Sequence, residues 1–243
     1  MKSTKIFFLL SFFLILPIAA HSQYAQGNIF AAARSGDIIT IQNLLNTEKL
    51  DKETLNMALG AAVVGDQVKI IKFLLKAGAD PNHKSSYNNP LLINAIVFDK
   101  FLAAETLIKE GADVNSRGYN RIMGEIHISR DWTPLMCAVY KGNLSLIKIL
   151  ISKGANINEK GWSRASDDLE TAADIAAYSG QLEILKFLLS NKAEMNPETI
   201  FKVASIFTLA TTAEWTLLGK VREIINIPST LNLTLTYSSN GSM

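Results

Sequence analysis

The chain has 243 residues, with 24 basic side chains, 22 acidic ones and one cysteine. Lys2 and Lys5 account for the whole positive excess, so beyond residue 22 the chain carries 22 charges of each sign, which gives no electrostatic case for nucleic acid or an anionic bilayer and leaves protein as the expected kind of partner. A lone cysteine excludes an intrachain disulfide.

The first element is a leader. Lys2 and Lys5 precede an apolar run from Ile6 to Ala20 interrupted only by Ser11 and Pro17, and Ala20-His21-Ser22 offers small residues for cleavage before Gln23. The competing reading is an uncleaved anchor, but a run of 15 residues falls short of the roughly 20 that span a bilayer. Residues 1–22 are therefore expected to be a signal peptide, with membrane contact only through this leader if it stays in place. Both readings send the remainder across the membrane, an extracytoplasmic location.

From Gln23 the pattern is five helix pairs. The first runs from about Asn28 to Leu45 with a turn at Ser35-Gly36. The second covers Glu53 to Ala77 with a turn at Gly65-Asp66, and the third covers Asn89 to Glu110. The fourth covers Thr133 to Lys153 with a turn at Lys141-Gly142-Asn143, and the fifth Thr171 to Asn191 with a turn at Ser179-Gly180. Each second helix spaces its apolar residues helically, as in Leu144, Ile147, Leu150 and Ile151. Three pairs close on one signature: Gly78-Ala79-Asp80-Pro81-Asn82, Gly111-Ala112-Asp113-Val114-Asn115 and Gly154-Ala155-Asn156-Ile157-Asn158. Its glycine falls where a helix takes a left-handed C-terminal cap.

Thr133-Pro134-Leu135, Gly142-Asn143-Leu144, Leu150-Ile151 and the signature at Gly154 together resemble one complete ankyrin repeat, and the fifth unit resembles it through Ala176-Ala177, Gly180-Gln181-Leu182 and Leu188-Leu189. Gly78 and Gly111 are 33 positions apart, the usual repeat length, whereas the next spacings are 43 and 38, the last counted to Lys192 in the place of a glycine. The resemblance implies an all-α ankyrin-repeat solenoid over residues 23–196, of about five helix pairs, with the excess residues in protruding hairpin fingers. Asn89 before Pro90 departs from the family's threonine. Asn196 and Pro197 open a further helical pattern, read as a C-terminal helical cap over residues 197–227 with a polar tail at 228–243.

The resemblance also implies a non-catalytic protein-binding module that uses its fingers and first-helix surface. The candidate contact residues are Tyr119, Arg121, Trp132, Trp162 and Arg164 in the two long fingers, with Tyr140 and Tyr178 at matching places before the inter-helix turns. The competing reading has the tryptophans and tyrosines packing within the array. The short leader joined to such an array is similar to exported bacterial ankyrin proteins, so a periplasmic or secreted product is expected, with a regulator or inhibitor of an exported enzyme or toxin as the alternative function. No enzyme, metal or cofactor is expected. Cys137 sits within an apolar helix, and Glu125 and His127 alternate along one strand face without a third ligand.

Overall fold

The computed structural model describes residues 29–47, 50–85, 88–121, 128–163 and 168–199. The helices are α1 (29–35), α2 (Ile38–Thr47), α3 (Lys52–Val64), α4 (Val68–Lys76), α5 (Leu91–Val97), α6 (Phe101–Lys109), α7 (Pro134–Tyr140), α8 (Leu144–Ser152), α9 (Ala172–Tyr178) and α10 (Leu182–Ser190). Four strands lie between them: β1 (Gly118–Arg121), β2 (Ile128–Trp132), β3 (Gly161–Ser163) and β4 (Asp168–Glu170).

Two rows of helices result. In the first, α3 packs on α5, α5 on α7 and α7 on α9; in the second, α2 packs on α4, α4 on α6 and α6 on α8. The first-row helices α7 and α9 lie between the second row and the finger strands, and their composition answers that demand: α7 buries every residue from Pro134 to Val139, and α9 every residue from Ala172 to Ala177. Small residues such as Ala138, Ala173 and Ala176 let the helices close to interior packing density. Second-row helices bury one stripe. Ile70, Ile71 and Leu74 in α4 match Leu146, Ile147 and Leu150 in α8 and Ile184, Leu185 and Leu188 in α10, with Lys72, Lys148 and Lys186 outward at the matching next position.

The signature has a physical reason at four of its five letters. Gly78 (φ 104°), Gly111 (φ 93°) and Gly154 (φ 87°) take the left-handed conformation that ends the helix. The next alanine then donates back to the last turn, Ala79 N to Leu74 O, Ala112 N to Leu107 O and Ala155 N to Leu150 O, which completes a Schellman cap. The third residue accepts from the amide of the fifth, as Asp80 Oδ1 does from Asn82 N at 2.8 Å and Asp113 Oδ1 from Asn115 N at 2.9 Å. The fifth then reaches the following unit. Asn82 Oδ1 accepts from Asp113 N at 2.7 Å, Asn115 Oδ1 from Asn156 N at 2.8 Å and Asn158 Oδ1 from Glu194 N at 2.8 Å. Lys192 holds the glycine's place at φ 65°, and Ala193 N still donates to Leu188 O. Because the cap depends on backbone geometry, a lysine can fill it at some conformational cost.

The helix caps follow the sequence. Thr133 Oγ1 accepts from Met136 N, and Thr171 with Asp174 forms a capping box. Asp51 Oδ1 accepts from Thr54 N at 2.6 Å and starts α3, which at 13 residues takes the place of a finger before unit two.

The all-α expectation needs correction. The two long fingers do not stand apart but pair as one four-stranded antiparallel sheet in the order β1-β2-β3-β4. Both insertions are long enough to fold as hairpins, and the stacking of units places β2 against β3, with Arg130 opposite Trp162. Between units two and three, without such an insertion, the described residues of 80–90 carry one isolated bridge, between Lys84 and Pro90. Residues 197–199 begin a helix, with Thr199 N donating to Asn196 O at 3.0 Å. The leader at 1–22, Glu125 and His127, Arg164, and the remainder of the cap and tail lie outside the described residues. Among the described residues no helix is long and apolar enough to cross a membrane.

Candidate functional site

The finger sheet lies along the first helix row, with β1 against α5, β2 against α7 and β4 against α9. Its placement begins at Asn89, which is buried and clamps β1 by its backbone: Oδ1 accepts from Tyr119 N at 2.8 Å and Nδ2 donates to Tyr119 O at 3.2 Å. A Cβ on Gly118 would collide with Asn89 Oδ1, so glycine is required beside the clamp. The departure from the family's threonine thus has a positive role in docking the finger.

Alternation along the strands gives the sheet two faces. The inward face carries Gly118, Trp132, Gly161, Ser163 and Glu170, all buried. Trp132 is 2% exposed, set edge-on to Tyr140 with ring centroids 5.7 Å apart. A Cβ on Gly161 would stand 2.7 Å from Trp132 Cδ1, so the indole occupies the space that glycine leaves. Trp132 is therefore corrected from a partner contact to a core residue: opposite Gly118 and above Gly161, its side chain has the interior as the place to go. Its indole Nε1 has no hydrogen-bond acceptor among the described residues.

The outward face is different in kind. Asp131, at φ 58°, forms a bulge where three steps along β2 oppose two along β1, and the bulge turns Arg130 to the exposed side. Arg130 Cζ lies 4.7 Å from the centre of the Trp162 ring, a cation–π contact worth about 0.5–1 kcal/mol at an exposed site. Directly across from Trp162 stands Leu169, 49% exposed, and Tyr119 on β1 is 42% exposed. Tyr119, Arg130, Trp162 and Leu169 thus form a row across all four strands. The fingers are riveted below this row by Arg117, whose Nη1 donates to Lys160 O at 3.1 Å and Asp131 O at 3.3 Å while Nη2 pairs with Glu159.

Of the remaining expected contact residues, Arg121 closes β1 opposite Ile128. Tyr140, 37% exposed, and Tyr178, half-buried, occupy matching places two residues before Gly142 and Gly180. Val64 takes the same place in unit two, and Phe98 lies next to it in unit three, both exposed. The sequence pointed to Tyr119 and Trp162 but not to Arg117, Arg130 or Leu169. Leu169 follows an Asp-Asp pair, and each arginine takes a partner from the segment of Glu159 to Trp162, more than 30 positions away.

Chemistry beyond binding has little support among these residues. Cys137 is fully buried, and that burial pushes its thiol up to about 12 against a small opposing pull from Lys141, so it stays protonated at neutral pH. Asp174 is buried too, but both oxygens are occupied, by Thr171 N and Oγ1 and by Asn196 N and Nδ2. Among the described residues no three of His, Cys, Asp and Glu gather as a metal site.

A family model described as ankyrin repeats, in three copies, matches residues 29–118 and 120–199. Those spans make up well over half of the chain, and the chain belongs to the ankyrin-repeat family. Palmitoyltransferase akr1 of Schizosaccharomyces pombe is 39% identical over 61 residues, 24% of this chain and 10% of its own length. Alpha-latrocrustotoxin-Lt1a of Latrodectus tredecimguttatus is 32% identical over 92 residues, 38% of this chain and 6% of its own. The chain thus spans a tenth or less of these curated relatives, and the palmitoyltransferase likeness is confined to an ankyrin region. Among solved structures, the human ASB11 ankyrin repeat domain superposes with a TM-score of 0.52 at 22% identity, covering 68% of this chain and 69% of that one, a likeness of fold. Ankyrin repeats generally mediate protein–protein interaction as non-catalytic scaffolds.

Proposed function

We propose that this chain is an extracytoplasmic, non-catalytic module that holds a protein partner against the outward face of its finger sheet and the adjoining ends of the first-row helices. The observation that carries the reading is the fusion of two fingers into one sheet whose outward row displays Tyr119, Arg130, Trp162 and Leu169. Tyrosine, tryptophan and arginine dominate binding energy at interfaces, and a paired sheet presents them with less ordering cost than separate loops would. Tyr140 and Tyr178 extend the surface along the helix ends. The export part rests on the pattern of residues 1–22.

Affinity capture from the native exported fraction, with the full chain as bait and Trp162→Ala combined with Tyr119→Ala as control, tests the binding site. A protein retained by the wild type and lost from the variant supports it; equal capture by both baits removes the fingers from the site. N-terminal sequencing of the product in its native host tests export. A chain beginning at Gln23 outside the cytoplasm is expected, and an unprocessed Met1 in the cytoplasm would overturn that part.

A further inference from the structure

We infer that the outward face of the finger sheet receives a partner segment bearing a carboxylate beside an apolar side chain, with Arg130 as the anion anchor. This rests on the protein-binding reading and names the chemistry of its partner.

Arg130 has no ion-pair partner among the described residues. The ion pairs among the described residues are Lys109 with Glu105, Arg117 with Glu159 and Lys141 with Asp99, and none of them engages Arg130. Two acids of the fingers have partners of their own. Glu159 is taken by Arg117 and by Asn156 Nδ2, and Asp168 turns Oδ1 to its neighbour's amide, Leu169 N, at 2.7 Å. Arg117, the other arginine of the junction, spends its donors inside the sheet. The two arginines therefore have opposite roles, one structural and one presented.

The bulge at Asp131 fixes the direction of Arg130, and the Trp162 ring holds the guanidinium plane while its N–H donors have no carboxylate among the described residues. A guanidinium preorganised in this way loses less side-chain entropy on binding, and its fork matches a carboxylate with two parallel hydrogen bonds. An aromatic ring underneath lowers local hydration and strengthens the pair.

Leu169 stands opposite Trp162 on the far side from Arg130, and Tyr119 flanks it on β1. One cation bordered on either side by exposed apolar surface complements one anion bordered by apolar side chains; a strongly acidic or strongly basic tract would leave that surface uncovered.

Panning a phage-displayed library of random short peptides on the full chain tests the inference. Selected peptides should share an Asp or Glu next to Leu, Ile, Val or Phe. A synthetic peptide of the selected sequence should lose about tenfold or more in affinity on Arg130→Gln and on conversion of its own acid to the amide, and should weaken in high salt. Leu169→Ser, a second surface variant, should weaken it as well, while Lys72→Ala on the second helix row should not; thermal melts verify that each variant is folded. Peptides without a shared acid, or equal binding by Arg130→Gln, would overturn the inference. If such peptides bind but respond to Phe98→Ser rather than to Arg130→Gln, protein binding stands and the finger site falls. If nothing is enriched and affinity capture also yields no partner, the broader reading fails and this one with it.

Discussion

Between units two and three the described residues of 80–90 carry one isolated bridge, whereas units three, four and five meet through four paired strands. Yet the same asparagine hydrogen bond joins successive units in both regions, from Asn82 to Asp113 and from Asn115 to Asn156. Stacking therefore does not require the sheet. The paired fingers are an addition to an array already held by its helices and its asparagines, and their inward face joins the array's core through Trp132.

Substitutions can break this comparison at either end. The largest effect is expected for Trp132→Ala, about 3–5 kcal/mol in urea denaturation, because a fully buried indole leaves a cavity between sheet and α7. His83→Ala, between units two and three, should stay within about 0.5 kcal/mol. Trp132→Phe should cost much less than alanine, since the indole N–H has no acceptor among the described residues to lose.

Next come the asparagines. Asn82→Ala and Asn115→Ala each hand an exposed amide of the following unit to water, with an expected loss of about 0.5–1.5 kcal/mol. The comparison is sharpened if Asn115→Ala costs less, because Arg117 and the β2–β3 pairing also bridge units three and four. Arg117→Ala should cost no more than about 1 kcal/mol, as an exposed pair. Its signature is local: faster amide exchange in β2 and β3 with α3 to α6 unchanged.

The smallest effect concerns acid. Asp37 and Asp51 lie in the region without long fingers, and the hydrogen bonds they accept from Thr40 and Thr54 hold both carboxyls below their ordinary value of 3.8. A depressed folded value stabilises the protein above pH 3.8, and that contribution is lost as the pH falls through the lower folded value. Denaturation midpoints of Asp37→Asn with Asp51→Asn should converge on the wild type in that window.

Much of this architecture was legible in the residues. The capping glycines, the helix pairs and their turns follow from local periodicity and backbone chemistry, and Schellman caps form at Gly78, Gly111 and Gly154 as the signature implies. The candidate surface was legible only in part. Trp132 and Trp162 are alike as residues, and register alone sends one inward and the other outward; the clue was the glycine that each finger keeps, Gly118 and Gly161. Arg117 and Arg130 are both finger arginines, and what separates them is the segment of Glu159 to Trp162, which no local pattern brings into view. The sheet itself was hidden for the same reason, since pairing between β2 and β3 is a property of two stacked units.

That pairing has a kinetic consequence. Trp162 follows Arg130 by 32 residues, and the whole α7–α8 pair lies within the loop that their register closes. Closing such a loop costs chain entropy unless the intervening helices have already condensed, so the sheet assembles after the helices it rests on. Contacts formed late govern the escape from the native state more than its formation. Weakening the rivet should therefore shorten the lifetime of the assembled platform while leaving the speed with which the array folds nearly unchanged.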